Sequence, residues 1–428
     1  MPPLPEPMEK IHSARLRSQC QPLLHSFGFK GGNLTELWQV TCELTTDCGT
    51  HAVGESVQSV LWSDGAVFAR WGQDEGNRKM LALTSFALER LRGMPLEAPP
   101  DMLKKLQPEV LAYGRRITEN DALRTTFALN ALTGIDWALW KLYRKSRNIQ
   151  SFTDLTAPFT DYLSHRQNRL GGIPLLSYNT TPEEIRALAD RGYFLFKIKI
   201  GSNPGGDNDL EAMLRWDIAR LEEIHRLLSP LDTPWTQCGH PLYYLDANGR
   251  YDTVERLRRF LEAADAIGAL ERILLLEEPF AENNLQDVRA LPVRIAGDES
   301  AHSAEDAVLL MEQCGYRAMA LKPIAKTVSV SLEVLQAAGE RGVPCFCADL
   351  TVNPTMVELN KRFAAGLAPL PGLKIGVFES NGAQNYANWG AMCRESPAFG
   401  ESWTQFRNGT YALSEKYYRQ DGNLWKEG

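Results

Sequence analysis

The chain has 428 residues, enough for two or three domains, although a closed α/β barrel absorbs about 250 residues as one unit. Hydrophobic residues make up 44% and charged residues 23%, ordinary for a globular protein, and no apolar run approaches the roughly 18 residues of a membrane span. The net charge of -7 gives no long-range attraction for nucleic acid or an anionic membrane, so an anionic substrate must be held by local positive charge.

The opening MPPLPEPMEKIHSARLRSQC places prolines where a signal peptide needs an apolar stretch, so a cytoplasmic location is expected. The stretch FGFKGGN (27–33) carries glycines that suit a mobile flap over a site. Residues 30–62 predict a β-hairpin and residues 76–146 are mainly helical, which makes 1–150 an α+β domain. Eight cysteines, including Cys345 and Cys347 in an apolar stretch, lack zinc spacing and read as reduced thiols.

From Pro174 onward the chain repeats one grammar, a short apolar strand ending in polar residues followed by an amphipathic helical stretch. The predicted strands are IPLLSYN (173–179), YFLFKIKIG (193–201), PLYYLDANG (241–249), RILLLEEPF (272–280), VRIAGDES (293–300), RAMALKP (317–323), VPCFCADL (343–350) and LKIGVFES (373–380). Several helical stretches between them open on Ser, Thr or Asp and close on Gly, as caps require. Eight β-then-α units predict a closed (β/α)8-type barrel over 151–380, because such connections are right-handed and the count matches closure. The rival, a doubly wound open sheet, lacks a G-x-G-x-x-G after any strand; GSNPGGDND (201–209) reads as a plain loop. Residues 381–428 leave this grammar and form a separate C-terminal segment.

Functional groups of such barrels sit at the C-terminal ends of the strands. The second strand ends with Lys197 and Lys199, the third with Asp246 and Asn248, the fourth with Glu277 and Glu278, the fifth with Asp298 and Glu299, and the sixth with Lys322. Taken singly, these are an exposed strand, a turn, a solvated loop and a helix cap. Taken together, five consecutive strands deliver charge to one rim, which points to a site. Asp246, Glu277 and Asp298 offer three hard oxygen ligands suited to Mg²⁺ and would repel one another without a cation. The lysines flank them where a base and an anion stabiliser would act. Asp349 either adds charge to the pocket or caps the next helix, and His302 reads as a residue at a helix N-terminus.

In this order, K-x-K, D-x-N, E-E-P, D-E-S and K-P at successive strand ends, the sequence resembles the enolase superfamily. Within it the likeness is to the mandelate racemase/muconate lactonizing enzyme family, in its muconate-lactonizing and dipeptide-epimerase branch. The resemblance implies a modified TIM barrel, with 1–150 as a capping domain to which 381–428 returns. It also implies Mg²⁺-assisted removal of the proton α to a carboxylate, giving an enediolate bound to the metal. On that likeness Asp246, Glu277 and Asp298 bind Mg²⁺, Lys199 and Lys322 are opposed acid/base catalysts, and Lys197 helps neutralise the substrate carboxylate. Asn248 and Glu299 orient ligands and lysines. Dipeptide epimerases carry Asp-x-Asp on the eighth strand to hold the substrate ammonium; here FESNG offers Glu379 and Asn381, with one charge. The stretch SPLDTPWTQCGHP (229–241) is an apparent insertion, expected near the rim.

The reading is a Mg²⁺-dependent racemase or epimerase acting on a small-molecule carboxylate. Its alternative is a cycloisomerase or dehydratase, muconate-lactonizing or o-succinylbenzoate synthase-like, on the same site. Two rivals of other kinds are a Schiff-base barrel aldolase acting through Lys322 and a barrel that binds without catalysing. The expected partners are the substrate and, at most, further copies of the same chain.

Overall fold

The structure, a computed structural model, describes residues 9–29 and 32–426. Of the expected flap 27–33, Lys30 and Gly31 lie outside the described residues. The N-terminal unit is an antiparallel sheet of β1 (Ile11–Phe29), β2 (Gly32–Thr46) and β3 (His51–Gln58), in that order. The β2–β3 hairpin is the predicted one, and β2 alternates as a half-buried strand should, with Val40, Cys42 and Leu44 facing inward. Strand β1 goes beyond the sequence prediction; its register shifts between Pro22 and Phe27, where a proline interrupts the ladder.

Four helices follow: α1 (Val60–Ser63), α2 (Gly65–Leu91), α3 (Pro99–Thr118) and α4 (Thr125–Ser146). Helix α4 is apolar nearly all round and buries Phe127, Leu129, Ile135, Trp137 and Trp140, because it is sandwiched between the sheet and the barrel. It approaches β3 so closely that a Cβ on Gly54 would lie 2.0 Å from the Gly134 carbonyl oxygen, which explains the glycine there.

After α5 (Phe152–Thr156) the barrel begins with β4 (Arg169–Ile173) and β5 (Leu175–Leu176), divided by Pro174. The remaining strands are β6 (Leu195–Lys199), β7 (Leu242–Asp246), β8 (Ile273–Glu277), β9 (Ile295–Gly297), β10 (Ala318–Leu321), β11 (Cys345–Cys347) and β12 (Gly376–Glu379). Neighbours pair in parallel in chain order; β4 pairs with β12 while β5 pairs with β6. The two halves around Pro174 thus act as one first strand, and a ring of eight closes. This strand begins four residues before its predicted start, at a Gly-Gly pair required by packing. A Cβ on Gly171 would fall 2.3 Å from the Phe194 ring, and one on Gly172 would fall 2.9 Å from the Phe406 ring.

Outside the ring lie α6 (Pro182–Asp190), α7 (Leu210–Leu228), α8 (Val254–Ala266), α9 (Ala304–Leu309), α10 (Val328–Gly339) and α11 (Pro354–Ala365). Their first turns are closed by side chains of Thr181, Asp209, Thr253, Ser303, Thr327 and Asn353, as the sequence suggested for several of them. Between β8 and β9 the chain crosses without an α-helix.

The insertion 229–241 is not near the rim. It joins the end of α7 to the start of β7, and connections of that sense return to the N-terminal face of a parallel barrel. There the Trp235 carbonyl accepts from the Lys374 amide at 2.9 Å, and the Trp235 ring packs against Phe194, closing the barrel floor.

The C-terminal segment divides. Through α12 (Gly382–Asn385) and α13 (Trp389–Glu395) it meets the first sheet, where the Ala387 amide donates to the Pro22 carbonyl at 3.1 Å and Gln39 donates to the Tyr386 hydroxyl at 2.9 Å. Beyond that, β13 (Phe406–Arg407) and β14 (Thr410–Ala412) extend the barrel sheet alongside β4, and α14 (Glu415–Arg419) follows. Among the described residues no helix is long and apolar enough to cross a membrane.

The two units are joined at α4. One oxygen of Asp136, fully buried, accepts from the amides of Val328 at 2.8 Å and Ser329 at 3.2 Å, and the other accepts from the Ser329 hydroxyl. A side chain of the capping unit therefore satisfies the first turn of barrel helix α10. The Asp136→Ala variant should lose about 2 kcal/mol in denaturant unfolding, because buried amides are left without an acceptor, while Asp136→Asn should lose less. Equal stability of Asp136→Ala and the parent would show that this junction is not under load.

Candidate active site

The strands end at one rim beneath the first sheet. Strand β6 is buried on both faces, so the apolar face of Phe196 and Ile198 packs outward while Lys197 and Lys199 point into the barrel mouth, both less than a tenth exposed. They line a small cavity of about 40 Å³ together with Asp246, Asn248, Lys322 and Glu379. Its roof is apolar and comes largely from the first unit, with Leu34 and Leu37 of β2 and Trp62 of α1. Trp62 is placed by two buried amides: Asn130 accepts from the Ser59 amide and Asn77 from the Val60 amide, each at 3.1 Å, at the start of α1.

The Lys197 ammonium sits 2.9 Å from Asp246, 3.1 Å from Glu277 and 3.0 Å from Glu379. Burial alone would depress its pKa, but Asp246, Glu277 and Glu379 outweigh that and hold it well above its usual value. Lys197 is thus an internal counter-ion to three carboxylates. Lys199 donates to Asp246 at 2.6 Å and to the Asn248 side-chain oxygen at 2.5 Å. Burial would raise the pKa of Asp246, but Lys197 and Lys199 carry it below its usual range.

Across the mouth, Lys322 lies 2.5 Å from Asp298 and 4.6 Å from the Trp62 ring centroid. Burial works against its charge, and Asp298 with Glu277 restores it. A further lysine, Lys326, was not picked out from the sequence. Its ammonium is 3.2 Å from the Asp298 carboxylate and 2.6 Å from the Asp298 carbonyl, so two lysines clamp one aspartate. Its only sequence signal is the second basic residue of LKPIAK.

Glu277, Asp298 and Glu299 each present a carboxylate oxygen within 4.8 Å of the others, and all three are buried. Burial and Asp298 push Glu277 up to about 8 against the pull of Lys197, and its Oε1 has no hydrogen-bond donor. Buried negative charge with an unsatisfied oxygen is the environment a hard divalent cation completes, so these residues fit Mg²⁺. Of the ligand set expected from sequence, Glu277 and Asp298 are in this cluster. Asp246 stands on the lysine side, with Oδ2 held by both lysines and Oδ1 accepting from the Asn248 amide at 3.0 Å.

Asn248 links the two halves, since its side-chain Nδ2 donates to Glu299 at 3.0 Å while its side-chain oxygen accepts from Lys199. Glu278, beside the cluster, adopts a positive φ of 41°, an uncommon conformation for a non-glycine residue. Its carboxylate accepts from the Asp298 amide at 2.9 Å and from the Ser300 hydroxyl, fixing the turn that presents Asp298. Burial and the neighbouring Glu299 push it up to about 7.

Glu379 lines the cavity, but its oxygens are engaged by Lys197, by the Asp349 amide at 2.9 Å and by the Asn381 side chain at 3.1 Å. Asp349 lines the cavity but does not cap the next helix, whose first turn is closed by Asn353; it accepts instead from the loop amides of Leu350 and Asn381 at 2.8 and 2.9 Å. His302 lies outside the cavity, just before the N-cap of α9, with Nε2 2.9 Å from Glu282.

Residues 181–374 match the family model described as MR_MLE_C, enolase C-terminal domain-like. No curated protein matches the sequence. Among solved structures, a mandelate racemase/muconate lactonizing protein from Herpetosiphon aurantiacus is 17% identical with a TM-score of 0.65, covering 95% of this chain and 96% of that one. A dipeptide epimerase from Enterococcus faecalis V583, complexed with Mg and the dipeptide L-Leu-L-Tyr, is 18% identical with a TM-score of 0.63, covering 95% and 98%. The L-Ala-D/L-Glu epimerase of Bacillus subtilis is 17% identical with a TM-score of 0.61, covering 95% and 96%. At these identities the likeness establishes the shared fold, a barrel with its cap, over nearly the whole chain.

Replacing Lys197 by Met leaves three buried carboxylates without their common cation. The variant should lose about 3–5 kcal/mol of stability in denaturant melts, as expected when one partner of a buried ion pair is removed. Added Mg²⁺ should recover part of the loss, because a cation at Glu277 and Asp298 offsets the same charge. An unchanged midpoint would refute the counter-ion role.

Proposed function

Because residues 181–374 of this chain match the enolase C-terminal domain-like family model, we propose that the protein is a Mg²⁺-dependent racemase or epimerase of a carboxylate substrate. It removes the proton α to the carboxylate on one face and returns a proton on the other. The observation that carries this reading is the placement of two lysines. Lys199 closes β6, Lys322 follows β10, and the two strands are four places apart in a ring of eight. They therefore face each other across the mouth, and both line the same cavity. A base reaches only the face it looks at, within about 3 Å, so opposed lysines suit exchange between two hands of one carbon.

Each lysine is held in position by the chain. Asp246 and Asn248 fix Lys199, while Asp298 and the Trp62 face fix Lys322, so neither needs to search for its proton. Glu277, Asp298 and Asp246 would hold the cation, with Glu299 at the edge of the same network. When bound, Mg²⁺ supplies positive charge against the dianion that proton loss creates. Lys197 adds fixed positive charge on the same side.

The cavity walls favour a carboxylate with an apolar α-substituent, since Leu34, Leu37, Trp62, Leu175 and Leu350 surround the charged floor. A cavity of about 40 Å³ holds little more than the reacting end, so admitting a whole substrate calls for movement of the roof. A dipeptide ammonium at Glu379 would have to compete with Lys197 for the same oxygen. On this reading Glu379→Gln slows cationic and neutral substrates alike; a selective loss of cationic substrates would instead assign Glu379 to the substrate ammonium.

In D₂O the parent should exchange the α-proton of both stereoisomers, and chelation should stop it. Lys199→Ala and Lys322→Ala should each lose interconversion by at least about 10²-fold, the scale of general-base catalysis, while each keeps exchange of the opposite single stereoisomer. Loss of the same stereoisomer in both variants would sink the opposed-base reading. Release of an unsaturated product would make the enzyme a lyase or cycloisomerase on the same site. Borohydride trapping of a substrate on Lys322 would favour the aldolase.

A further inference from the structure

The cavity between the lysines is lined by Asp246, Asp349 and Glu379, but by none of the clustered carboxylates Glu277, Asp298 and Glu299. A different opening reaches that cluster. A groove of about 470 Å³ runs between the two units, with Asn248, Glu278 and Glu299 among its lining residues. Its walls are residues 122–124, between α3 and α4, with Thr125 at the start of α4, and residues 281–283, between β8 and β9. Resting on the cofactor reading above, we propose that this groove is the route by which a divalent cation reaches and leaves the carboxylate cluster, separate from the path of the substrate, and that the Arg124–Glu282 ion pair is its gate.

Three observations converge. Glu299 belongs to both the cluster and the groove, so a cation entering the groove meets a cluster carboxylate directly, whereas in the lysine cavity Asp246 is reached beside the ammonium groups of Lys197, Lys199 and Lys322. The groove carries carboxylates of Glu278, Glu282 and Glu299 against the one guanidinium of Arg124, a balance that draws cations and repels an anionic substrate. Its volume admits several waters, at roughly 30 Å³ each, so an ion can travel partly hydrated before the cluster strips it.

The gate spans the two units. Arg124 comes from the capping unit, where its amide donates to Asp64 at 3.0 Å, and its guanidinium pairs with Glu282 of the barrel. Glu282 is steadied from behind by His302, at 2.9 Å, which in turn lies 3.4 Å from Asp306. Glu282 is not one of the clustered carboxylates, but the Arg124 charge also acts on Glu299, so an uncharged obstruction of the groove is what separates passage from ligation.

The test is the rate of Mn²⁺ binding to, and release from, the full chain, followed by stopped-flow tryptophan fluorescence, with equilibrium affinity measured separately by electron paramagnetic resonance. Ala281→Trp, an uncharged obstruction at an exposed wall position, should slow both rates about tenfold with affinity unchanged, because an obstacle in a passage acts equally in both directions. Arg124→Ala should speed both. Asn283→Trp repeats the obstruction from the neighbouring wall if Ala281→Trp does not fold. Rates indifferent to these variants overturn the route, as does an altered affinity without matched changes in both rates. Absence of Mn²⁺ binding in the parent overturns the cofactor reading itself, which keeps the two failures apart.

Discussion

The rim of this barrel depends on one electrostatic constraint: too many carboxylates lie buried in one place. Asp246, Glu277, Asp298, Glu299 and Glu379 are each nearly inaccessible to water, and burying a charge without a partner is among the costliest things a fold can do. Lysines meet most of that cost. Lys197 serves three carboxylates, Lys199 secures Asp246, and Lys322 with Lys326 secures Asp298. What the lysines leave unmatched is concentrated at Glu277, which burial and Asp298 push up to about 8. A rim so balanced is prepared for one more positive charge.

The capping unit follows from the same constraint. Charged groups can be kept from water only if something covers them, and the cover is built from apolar residues on α1 and β2. It is fastened at a distance from the site, where Asp136 of α4 satisfies the first turn of α10 and the Tyr386 region of the C-terminal segment holds the sheet from the other side. Covering and fastening are thus done by different residues. The groove lined by Glu299 lies at the edge of the same cover.

The barrel strands and their charged ends were legible in the sequence because both signals are local. An apolar run followed by a polar strand end is visible in five to nine residues, and the rule that sites gather at C-terminal strand ends converts the list into a rim. On that basis Lys197, Lys199, Asp246, Asn248, Glu277, Asp298, Glu299 and Lys322 were singled out, with Glu379 added by the likeness to dipeptide epimerases, and the structure brings all nine to one end of the barrel. The insertion 229–241 was misplaced because its length drew attention while its position between a helix and a strand, which sends it to the opposite face, was not weighed. Strand β1 was missed because its alternation is confined to a few residues around 14–17 and a proline interrupts it, and β4 because its Gly-Gly pair has no β propensity; packing partners distant in sequence make them strands.

The sequence by itself determined the number of barrel units, the caps of most helices and which charged side chains reach the mouth, since these follow from periodicity and chain direction. Tertiary structure alone decided how those charges are shared. That Lys197 is a counter-ion, that Glu299 joins Glu277 and Asp298 in one cluster, that Lys326 joins Lys322 on Asp298, and that Trp62 stands over Lys322 all depend on separations of a few ångströms between side chains that the sequence alone does not place together. Coulomb energies in a buried site change steeply over such distances, and a linear sequence contains no record of them.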